Sequence, residues 1–142
     1  MNEAIRIDHR TVGRAHPPFI IAEMSGNHNH SLERALAIVE AAARAGAHAL
    51  KLQTYTPDTM TLNIDEREFH ISDQHSLWKG TSLYTLYDEA YTPWEWHEPI
   101  FRRARELGMI PFSTPFDQTS VEFLENLRVP CYKIASFENT DL

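Results

Sequence analysis

The sequence predicts an α/β fold built on a parallel sheet, and two observations support this prediction. An amphipathic helix pattern, a glycine and a short strand pattern follow one another from residue 31 to 53, and the same order recurs from residue 92 to 114. Strands that alternate with helices pair in parallel through right-handed crossovers. The 142 residues are 42% hydrophobic and 23% charged, as in an ordinary globular domain, so the chain can bury a core.

The first elements along the chain are a small hairpin and a strand. Residues 5–7 and 11–13 are short strand-like segments that we expect to pair with each other. The apolar run at residues 19–23 is the first predicted parallel strand. It ends at Glu23, and a polar turn follows it.

The first helix is predicted at residues 31–45. Apolar residues recur there at steps of three and four, which is the period of a helix with one buried face. Ser31 is a good N-cap residue, and Gly46 is a typical residue to end the helix. The strand predicted next covers residues 48–53.

The second helix is predicted at residues 93–107. Its start is indicated by Thr92 and Glu95, which have the spacing of a capping box, with Pro93 at the first helical position. A strand is predicted at residues 109–113, although its proline cannot donate a hydrogen bond to a sheet ladder.

The third helix is predicted at residues 118–127, starting near Asp117, and the fourth parallel strand at residues 131–134. This order fits two architectures. One is a small doubly wound sheet, which 142 residues could complete. The other is the N-terminal half of a (β/α)₈ barrel, which takes ~250 residues in full. Counting strands alone favours the doubly wound sheet.

Residues 55–91 form a long connection between two predicted elements. Connectors of this length are uncommon in a compact domain and are usually functional or disordered. Residues 83–90 have a weak helical pattern, and Trp78, Tyr84 and Tyr87 add aromatic surface. We interpret the segment as an excursion that folds over the top of the sheet, with a plain surface insertion as the alternative.

Composition and motifs exclude several classes of function. The formal charge of −7 argues against a nucleic-acid binder or a polybasic membrane binder. The N-terminus lacks a secretory pattern and no apolar run is long enough to span a membrane, so we expect a cytoplasmic protein. Cys131 is the only cysteine, which excludes an intrachain disulfide. Dinucleotide-binding, P-loop and nucleophile-elbow motifs are absent.

Polar side chains follow the carboxyl ends of the predicted strands. Glu23 ends the first strand, and alternation places Lys51 and Gln53 together on one face of the second. Ser113 and Thr114 end the third strand, and a polar stretch follows the fourth. Because α/β proteins bind ligands at this edge, we predict a site across it. On strand position alone, Lys51 is equally suited to a ligand or to a structural ion pair.

The histidines support a metal site only weakly. His28 and His30 lie close together in sequence, as in some metal sites, but we interpret them as a solvent-exposed loop pair. His97 is interpreted as a packing residue on a helix face.

Four segments carry a recognisable set of motifs. They are FIIAEMSGNH at residues 19–28, AGAHALKLQT at 45–54, FSTPF at 112–116 and YKIASFE at 132–138. In this order and spacing they resemble the sialic acid synthase family, whose members condense phosphoenolpyruvate with an amino-sugar aldehyde. The ASFE run stands where the sialic acid branch usually has GSGE, and with other motifs it makes the sequence most similar to the pseudaminic acid branch.

The resemblance implies a (β/α)₈ TIM barrel followed by a further C-terminal domain, in a polypeptide more than twice this length. Residues 1–17 are then expected to form a β-hairpin extension, and residues 18–142 the N-terminal half of the barrel. The chain alone is expected to be inactive. The resemblance also implies a divalent metal, Mn or Mg, with ligands outside this chain. It further implies a domain-swapped homodimer in which the partner's C-terminal domain contributes an arginine.

The resemblance also implies roles for individual residues. Glu138 is the preferred catalytic acid or base, with Glu23 as a second catalytic candidate. The residues expected to bind phosphoenolpyruvate are Lys51, Ser113, Thr114, Lys133 and Ser136. The other residues expected to bind substrate are Asn27, Gln53 and Tyr55.

The substrate implied by this branch is a 6-deoxy-2,4-diacetamido hexose, converted to pseudaminic acid and phosphate. Its apolar surface is expected to contact Tyr55, Trp78 and Phe137. N-acetylneuraminate or legionaminate synthesis is the alternative within the family. Outside the family, a non-catalytic ligand-binding module and a sugar-phosphate aldolase stay open.

Overall fold

The computed structural model describes residues 4–136 and 138–140. Its first element is an antiparallel hairpin of β1 (Ala4–Ile7) and β2 (Arg10–Gly13), which confirms the pairing expected there. Asp8 has a φ of 52° in the connecting turn, a left-handed conformation that aspartate tolerates better than most residues. Within the part of the chain described, no helix has the length and apolarity needed to cross a membrane.

A three-stranded parallel sheet is the centre of the fold. It consists of β3 (Ile21–Glu23), β4 (Ala49–Thr54) and β5 (Ile110–Pro115), in that spatial order. The predicted first strand began two residues earlier than β3. The backbone N–H of Ile20 donates to the side chain of His48 at 2.9 Å, so the regular ladder begins after it.

Prolines determine how far the sheet extends beyond β5. The backbone N–H of Ile110 donates to the carbonyl of His48, just before β4, so the backbone groups of Ile110 face β4. Backbone groups alternate in direction along a strand, so those of Pro111, Ser113 and Pro115 face the opposite edge of β5. Two of these three residues lack an N–H. The edge therefore offers the N–H of Ser113 alone as a donor.

The fourth predicted strand, at residues 131–134, does not form a regular strand. Tyr132 makes an isolated parallel bridge to Ser113, and the N–H of Lys133 donates to the Ser113 carbonyl at 3.1 Å. The prediction was right about the position and the parallel direction of this segment. It was wrong in expecting a regular ladder of hydrogen bonds to β5. The shortage of donors at the β5 edge is the physical reason.

Three long helices follow the three strands of the parallel sheet, and their observed bounds are close to the predicted ones. They are α1 (Leu32–Arg44), α4 (His97–Glu106) and α5 (Gln118–Asn126). The predicted cap forms at Ser31, which accepts from the N–H of Arg34. Asp117, near which the third helix was expected to start, is the N-cap of α5 and accepts from two of its backbone N–H groups. Gly46 ends α1 with a φ of +83°, a conformation that side chains other than glycine's resist.

The capping box predicted at Thr92 is wrong. The chain enters α4 through a 3₁₀ turn at Trp94–Trp96, and no side chain caps either helix start. The Thr92 hydroxyl lies 3.0 Å from Nε2 of the buried His28 instead. The Thr92 hydroxyl therefore forms a tertiary hydrogen bond with His28 rather than the local cap of the helix.

The long connection contains two short helices, α2 (Pro57–Met60) and α3 (Leu83–Ala90), which confirms the helix predicted at residues 83–90. Between them lie a 3₁₀ turn at Arg67–Phe69 and a bridge between His70 and Ser82. The hydroxyl of Tyr84 donates to Asp58 Oδ1 at 3.1 Å and thereby joins α3 to α2.

The two faces of the sheet differ in what covers them. Leu50 and Leu52 pack against all three long helices in the main hydrophobic core. On the other face, Ala49, Ile110 and Phe112 form a smaller cluster that the hairpin residue Ile7 contacts. Sequential strand order with the helices on one face is the arrangement of half a (β/α)₈ barrel, and it excludes a doubly wound sheet.

Candidate active site

A cleft of about 610 Å³ lies at the carboxyl ends of the parallel strands. Its position follows from the fold, because side chains at the ends of neighbouring parallel strands meet at one edge. Eight residues expected from the sequence line it: Glu23, Lys51, Gln53, Tyr55, Thr114, Lys133, Ser136 and Glu138. Their roles stay predictions, but their convergence on one cleft is a feature of the structure.

Lys51 lies on the inner face of β4 because its neighbours Leu50 and Leu52 occupy the helix face. The residue is 8% exposed, and its Nζ lies 3.0 Å from Glu23 Oε1 on the adjacent strand. The parallel register places these residues directly opposite each other. This pairing compensates for the burial of the ammonium group and holds it at the cleft.

Gln53 lies two residues further along the same face of β4. Its Oε1 accepts a hydrogen bond of 3.2 Å from the hydroxyl of Ser25 in the loop after β3. Ser25 has a φ of 50°, an uncommon conformation for a serine. The loop after the first strand is therefore tied to the cleft through Gln53.

Two buried oxygen atoms in the cleft lack hydrogen-bond partners among the described residues. They are Oγ1 of Thr114, which is 1% exposed, and Oε2 of Glu138. Buried polar atoms in folded proteins are nearly always paired, so each unpaired one calls for an explanation. Both atoms belong to residues that line the cleft, and a bound polar ligand would supply the missing partner.

Lys133 and Ser136 both line the cleft although they are three residues apart. In a regular strand, alternation would place them on opposite faces. The strand pairing ends after the single bridge at Tyr132, and the chain turns, so that Ile134 is exposed while both polar residues reach the cleft. The irregular fourth segment is what allows this pair to converge.

Ser113 and Asn27 are the two expected site residues that do not line this cleft. Ser113 lies on the helix side of the sheet, fully buried, because its neighbour Thr114 takes the cleft side. Asn27 donates from Nδ2 to the carbonyl of Met24 at 2.9 Å and lines a separate groove beside α3. Trp78 lines that second groove as well, and Phe137 lies outside the described residues.

Ser113 belongs to a buried network directly behind the cleft. Its hydroxyl lies 2.6 Å from Oγ1 of Thr54, which lies 2.8 Å from Nε2 of His97. His97 Nδ1 lies 3.3 Å from the carbonyl of Pro93, an acceptor, so Nδ1 carries the proton and Nε2 accepts from Thr54. Burial lowers the pKa of His97 to about 4, so the ring is neutral near pH 7.

His28 was expected to be exposed to solvent, but the structure buries it. The ring is fully buried, accepts at Nδ1 from the backbone N–H of His30, and bonds Thr92 through Nε2. Burial, and secondarily the charge of His30, lowers the pKa of His28. The expected solvent-exposed pair is therefore correct for His30 and wrong for His28. The expectation that His97 is a packing residue is confirmed by its burial against Phe101 and Phe123.

The cleft also contains residues to which the sequence analysis assigned no role in the site. Met60, Tyr87 and Phe116 line it together with Thr59 and Ala135. Tyr87 lies on the helix of the long connection, and its place among the aromatic residues there was the available signal. Burial, with a smaller effect of Tyr87, raises the pKa of Tyr55 to about 12, so its hydroxyl stays protonated.

The part of the chain that the structure describes contains no cluster of side chains that could bind a metal ion. No three His, Cys, Asp or Glu side chains there are arranged to hold one. The cleft residues supply ammonium, hydroxyl, amide and carboxylate groups, which suit an anionic and hydroxylated ligand.

The half barrel and its charged cleft define the class: an α/β-barrel protein with a candidate ligand site at the carboxyl ends of the strands. Within that class the chain belongs to the NeuB family, whose family model matches residues 38–142. The resemblance to sialic acid synthases inferred from the motifs is thereby confirmed.

Individual relatives agree with this assignment. The chain is 52% identical over 123 residues to a pseudaminic acid synthase of Campylobacter jejuni and 50% identical over 126 residues to one of Helicobacter pylori. These matches cover 87% and 89% of this chain. The chain spans 35% and 36% of the length of the two relatives.

Solved structures agree on the fold. An N-acetylneuraminic acid synthetase of Leptospira borgpetersenii matches with a TM-score of 0.78 at 26% identity, over 97% of this chain and 43% of that one. The spore coat polysaccharide biosynthesis protein SpsE of Bacillus subtilis matches with a TM-score of 0.70 at 34% identity, over 95% and 34%.

Proposed function

We propose that the intact protein is a nonulosonic acid synthase that condenses phosphoenolpyruvate with a 6-deoxy-2,4-diacetamido hexose to give pseudaminic acid and phosphate. The relatives that are 50–52% identical are named pseudaminic acid synthases. Two alternative products have support from less similar relatives. An N,N′-diacetyllegionaminic acid synthase is 34% identical and a human N-acetylneuraminate-9-phosphate synthase is 32% identical. This difference in identity favours the pseudaminic acid branch.

The observation that supports the reaction class is the convergence of two lysines, two carboxylates and an unpaired hydroxyl in one cleft. Phosphoenolpyruvate carries a phosphate and a carboxylate, and ammonium groups bind both through charge-assisted hydrogen bonds. Lys51 and Lys133 supply these cations, and Thr114 supplies a buried hydroxyl without a partner among the described residues. Glu23 orients Lys51 for this task through their ion pair.

The reaction forms one carbon–carbon bond, and the two protons of the added water end on the former aldehyde oxygen and on the departing phosphate. In the proposed mechanism, C3 of phosphoenolpyruvate bonds to the aldehyde carbon, water adds at C2, and phosphate leaves by cleavage of its C–O bond. Glu138 is the proposed acid or base because its Oε2 is buried at the cleft with no partner among the described residues. Glu23 is already paired with Lys51, which makes it the weaker candidate for moving a proton.

The proposal includes a divalent metal, Mn or Mg, that would act on the aldehyde as a Lewis acid. Because the described residues offer no cluster to hold it, its ligands would come from elsewhere in the intact protein. A homodimer in which a partner's C-terminal domain completes the site is part of the same proposal.

The test is an assay of the intact protein with phosphoenolpyruvate, manganese and two competing aldehydes. The expected result is phosphate release with a higher kcat/KM for the 6-deoxy-2,4-diacetamido hexose than for N-acetylmannosamine. A preference for N-acetylmannosamine would move the protein to the sialic acid branch. Release of no phosphate with either aldehyde would contradict the reaction class itself.

A further inference from the structure

The buried network of Ser113, Thr54 and His97 has no task in the proposed reaction. All three side chains are fully buried, and none is among the described residues that line the cleft. In sequence, however, Thr54 directly follows Gln53, and Ser113 directly precedes Thr114, and both of these neighbours line the cleft. The network therefore joins the ends of β4 and β5 immediately behind the cleft.

The hydrogen bonds of the network have a defined direction. Nδ1 of His97 donates its proton to the carbonyl of Pro93, so Nε2 accepts from the hydroxyl of Thr54 at 2.8 Å. This bond uses the only proton of the Thr54 hydroxyl, which must then accept from the Ser113 hydroxyl at 2.6 Å. The side chain of Ser113 is thus held in one orientation.

The direction of its backbone makes Ser113 depend on this network. Alternation turns the backbone groups of Ser113 away from β4 and towards the outer edge of β5. There its carbonyl accepts from the N–H of Lys133 at 3.1 Å. Its hydroxyl is the group that bonds a residue of β4, Thr54. Ser113 therefore links β4 to the irregular segment that carries Lys133.

Two groups of the proposed phosphoenolpyruvate site depend on where Ser113 lies. Lys133 is attached to its carbonyl, and Thr114 follows it in the chain with a buried Oγ1 that lacks a partner among the described residues. The third group, Lys51, belongs to β4. Groups that bind one ligand together have to be held to within about 0.5 Å of the productive geometry. The distance between the ends of β4 and β5 therefore matters for binding.

We infer that Thr54 is a positioning residue for phosphoenolpyruvate binding, held in its orientation by the buried histidine. Through Ser113 it sets the spacing between Lys51 on β4 and the pair Thr114 and Lys133. The inference rests on the proposed function, which assigns phosphoenolpyruvate to these three side chains. Thr54 does not contact the ligand in this role and acts through the residues that do.

The experiment compares the intact protein with its Thr54→Val variant, which removes the hydroxyl and keeps the branched shape of the side chain. Phosphate release is measured at varied phosphoenolpyruvate and at varied sugar. The KM for phosphoenolpyruvate is expected to rise about tenfold, because small misplacements of binding groups cost up to about 100-fold. The KM for the sugar should stay within about twofold. At saturating phosphoenolpyruvate, kcat should fall no more than about threefold, since the weakened contacts also hold the ground state.

Two variants serve as controls. Thr54→Ser restores the hydroxyl, and its KM for phosphoenolpyruvate is expected to stay within about twofold of the unmodified protein. Thr92→Val is the matched control, because Thr92 is also buried, at 1% exposure, and its hydroxyl lies 3.0 Å from a buried histidine, His28, rather than from a residue of β5. It should lose a similar amount of stability in urea unfolding and leave the KM for phosphoenolpyruvate within about twofold.

Nitrogen NMR of the histidine-labelled protein tests the network without the reaction. The Nε2 resonance of His97 should move towards that of an acceptor without a donor in Thr54→Val and keep its position in Thr54→Ser. His97→Gln removes this resonance and thereby assigns it. An unchanged Nε2 resonance in Thr54→Val would contradict the bond on which the inference depends.

The kinetic outcomes separate this inference from the proposed function. If Thr54→Val releases phosphate with an unchanged KM for phosphoenolpyruvate, the positioning role is overturned and the reaction stands. An equal rise of this KM in Thr92→Val or in Thr54→Ser would also overturn it, because the Thr54 hydroxyl would not be the cause. An unmodified protein that releases no phosphate with either aldehyde overturns both.

Discussion

At the scale of single residues, the two lysines of the cleft differ in how the protein holds them. Lys51 is 8% exposed and paired with Glu23, whereas Lys133 is exposed on an irregular segment. In the intact protein we expect Lys51→Ala and Lys133→Ala each to raise the KM for phosphoenolpyruvate by about one to two orders of magnitude. A lost charge-assisted contact costs roughly 1.5–3 kcal/mol, which gives this range.

Steady-state kinetics at varied phosphoenolpyruvate would measure the effect. Arg102→Ala is the control, because it removes one positive charge from an exposed pair with Glu98 on α4. Lys51→Ala should have the larger effect, since it also leaves the Glu23 carboxylate without its partner and facing an anionic substrate. Adding Glu23→Gln to Lys51→Ala should therefore restore part of the loss. Unchanged kinetics in both lysine variants would remove the role assigned to them.

A second prediction at the residue scale concerns His97 and acid stability. The pKa of His97 is about 4 in the folded protein, against 6.5 in an unfolded chain. Below pH 6.5 the unfolded chain binds a proton at this residue that the folded protein does not bind until about pH 4. The free energy of unfolding should therefore fall by about 3 kcal/mol as the pH falls through this window. His28, whose pKa is also lowered, acts in the same direction.

Urea unfolding of the intact protein between pH 4 and pH 7 would measure this dependence. His97→Gln keeps a polar group near Thr54 and cannot titrate, so its stability should vary less with pH across the same window. An equally steep dependence in the variant would assign the effect to other groups.

At the scale of secondary structure elements, the sequence predicted most of what depends on local patterns. The helices α1 and α5 were located by apolar periodicity, with a predicted cap at Ser31 and a predicted start near Asp117, and these signals depend on residues close together in the chain. The capping box at Thr92 failed because its hydroxyl binds His28, which lies 64 positions away. The fourth strand failed because the edge it would pair with carries two prolines, a property of the neighbouring strand. Both errors concern partners that a local pattern does not contain.

Helix α3 contributes Tyr87 to the cleft, and its last residue, Ala90, packs closely against Gly26. A Cβ on this residue would lie 3.0 Å from the carbonyl oxygen of Ala90 and 3.3 Å from its Cβ, so one of the two segments must move. Overpacking of this kind costs about 1–3 kcal/mol. We expect Gly26→Ala to loosen α3 and to raise the KM for the sugar more than the KM for phosphoenolpyruvate.

Amide hydrogen exchange would measure the loosening. Protection of the α3 amides should fall about tenfold, while the amides of α1 serve as an internal control and stay protected. Equal loss of protection in both helices would indicate general destabilisation and contradict a local effect.

At the scale of the whole molecule, the choice between two architectures depended on information beyond strand counting. The alternation of strands and helices was compatible with a doubly wound sheet and with half a barrel. Sequential strand order and the placement of Leu50 and Leu52 against all three long helices decide for the half barrel. The position of the site follows from the same geometry, since alternation along β4 correctly predicted that Lys51 and Gln53 line the cleft. The same alternation along β5 places Thr114 in the cleft and Ser113 on the helix side of the sheet.

A half barrel leaves apolar surface that a complete barrel would bury. The sheet face opposite the helices opens into a cavity of about 550 Å³ whose lining includes Ile5, Ile21, Phe112 and Cys131. Ile5 is 63% and Ile21 43% exposed, and the outer edge of β3 carries no strand among the described residues. Exposed apolar patches and unpaired edges recruit other chains. The 142-residue polypeptide, prepared alone, should therefore self-associate at micromolar concentration.

Sedimentation velocity over a concentration series would measure this association, and binding of a hydrophobic dye would report the exposed face. Ile5→Lys and Ile21→Lys place charges on that face, away from the helix-side core, and should shift the distribution towards monomer. Leu77→Lys is the matched control, since Leu77 is 99% exposed but lies on the long connection rather than beside the sheet. If all four forms sediment as a monodisperse monomer that melts cooperatively, the open sheet face does not cause the self-association that the half barrel predicts. If only the sheet-face variants become monomeric, the surface that the rest of a barrel would cover is identified directly.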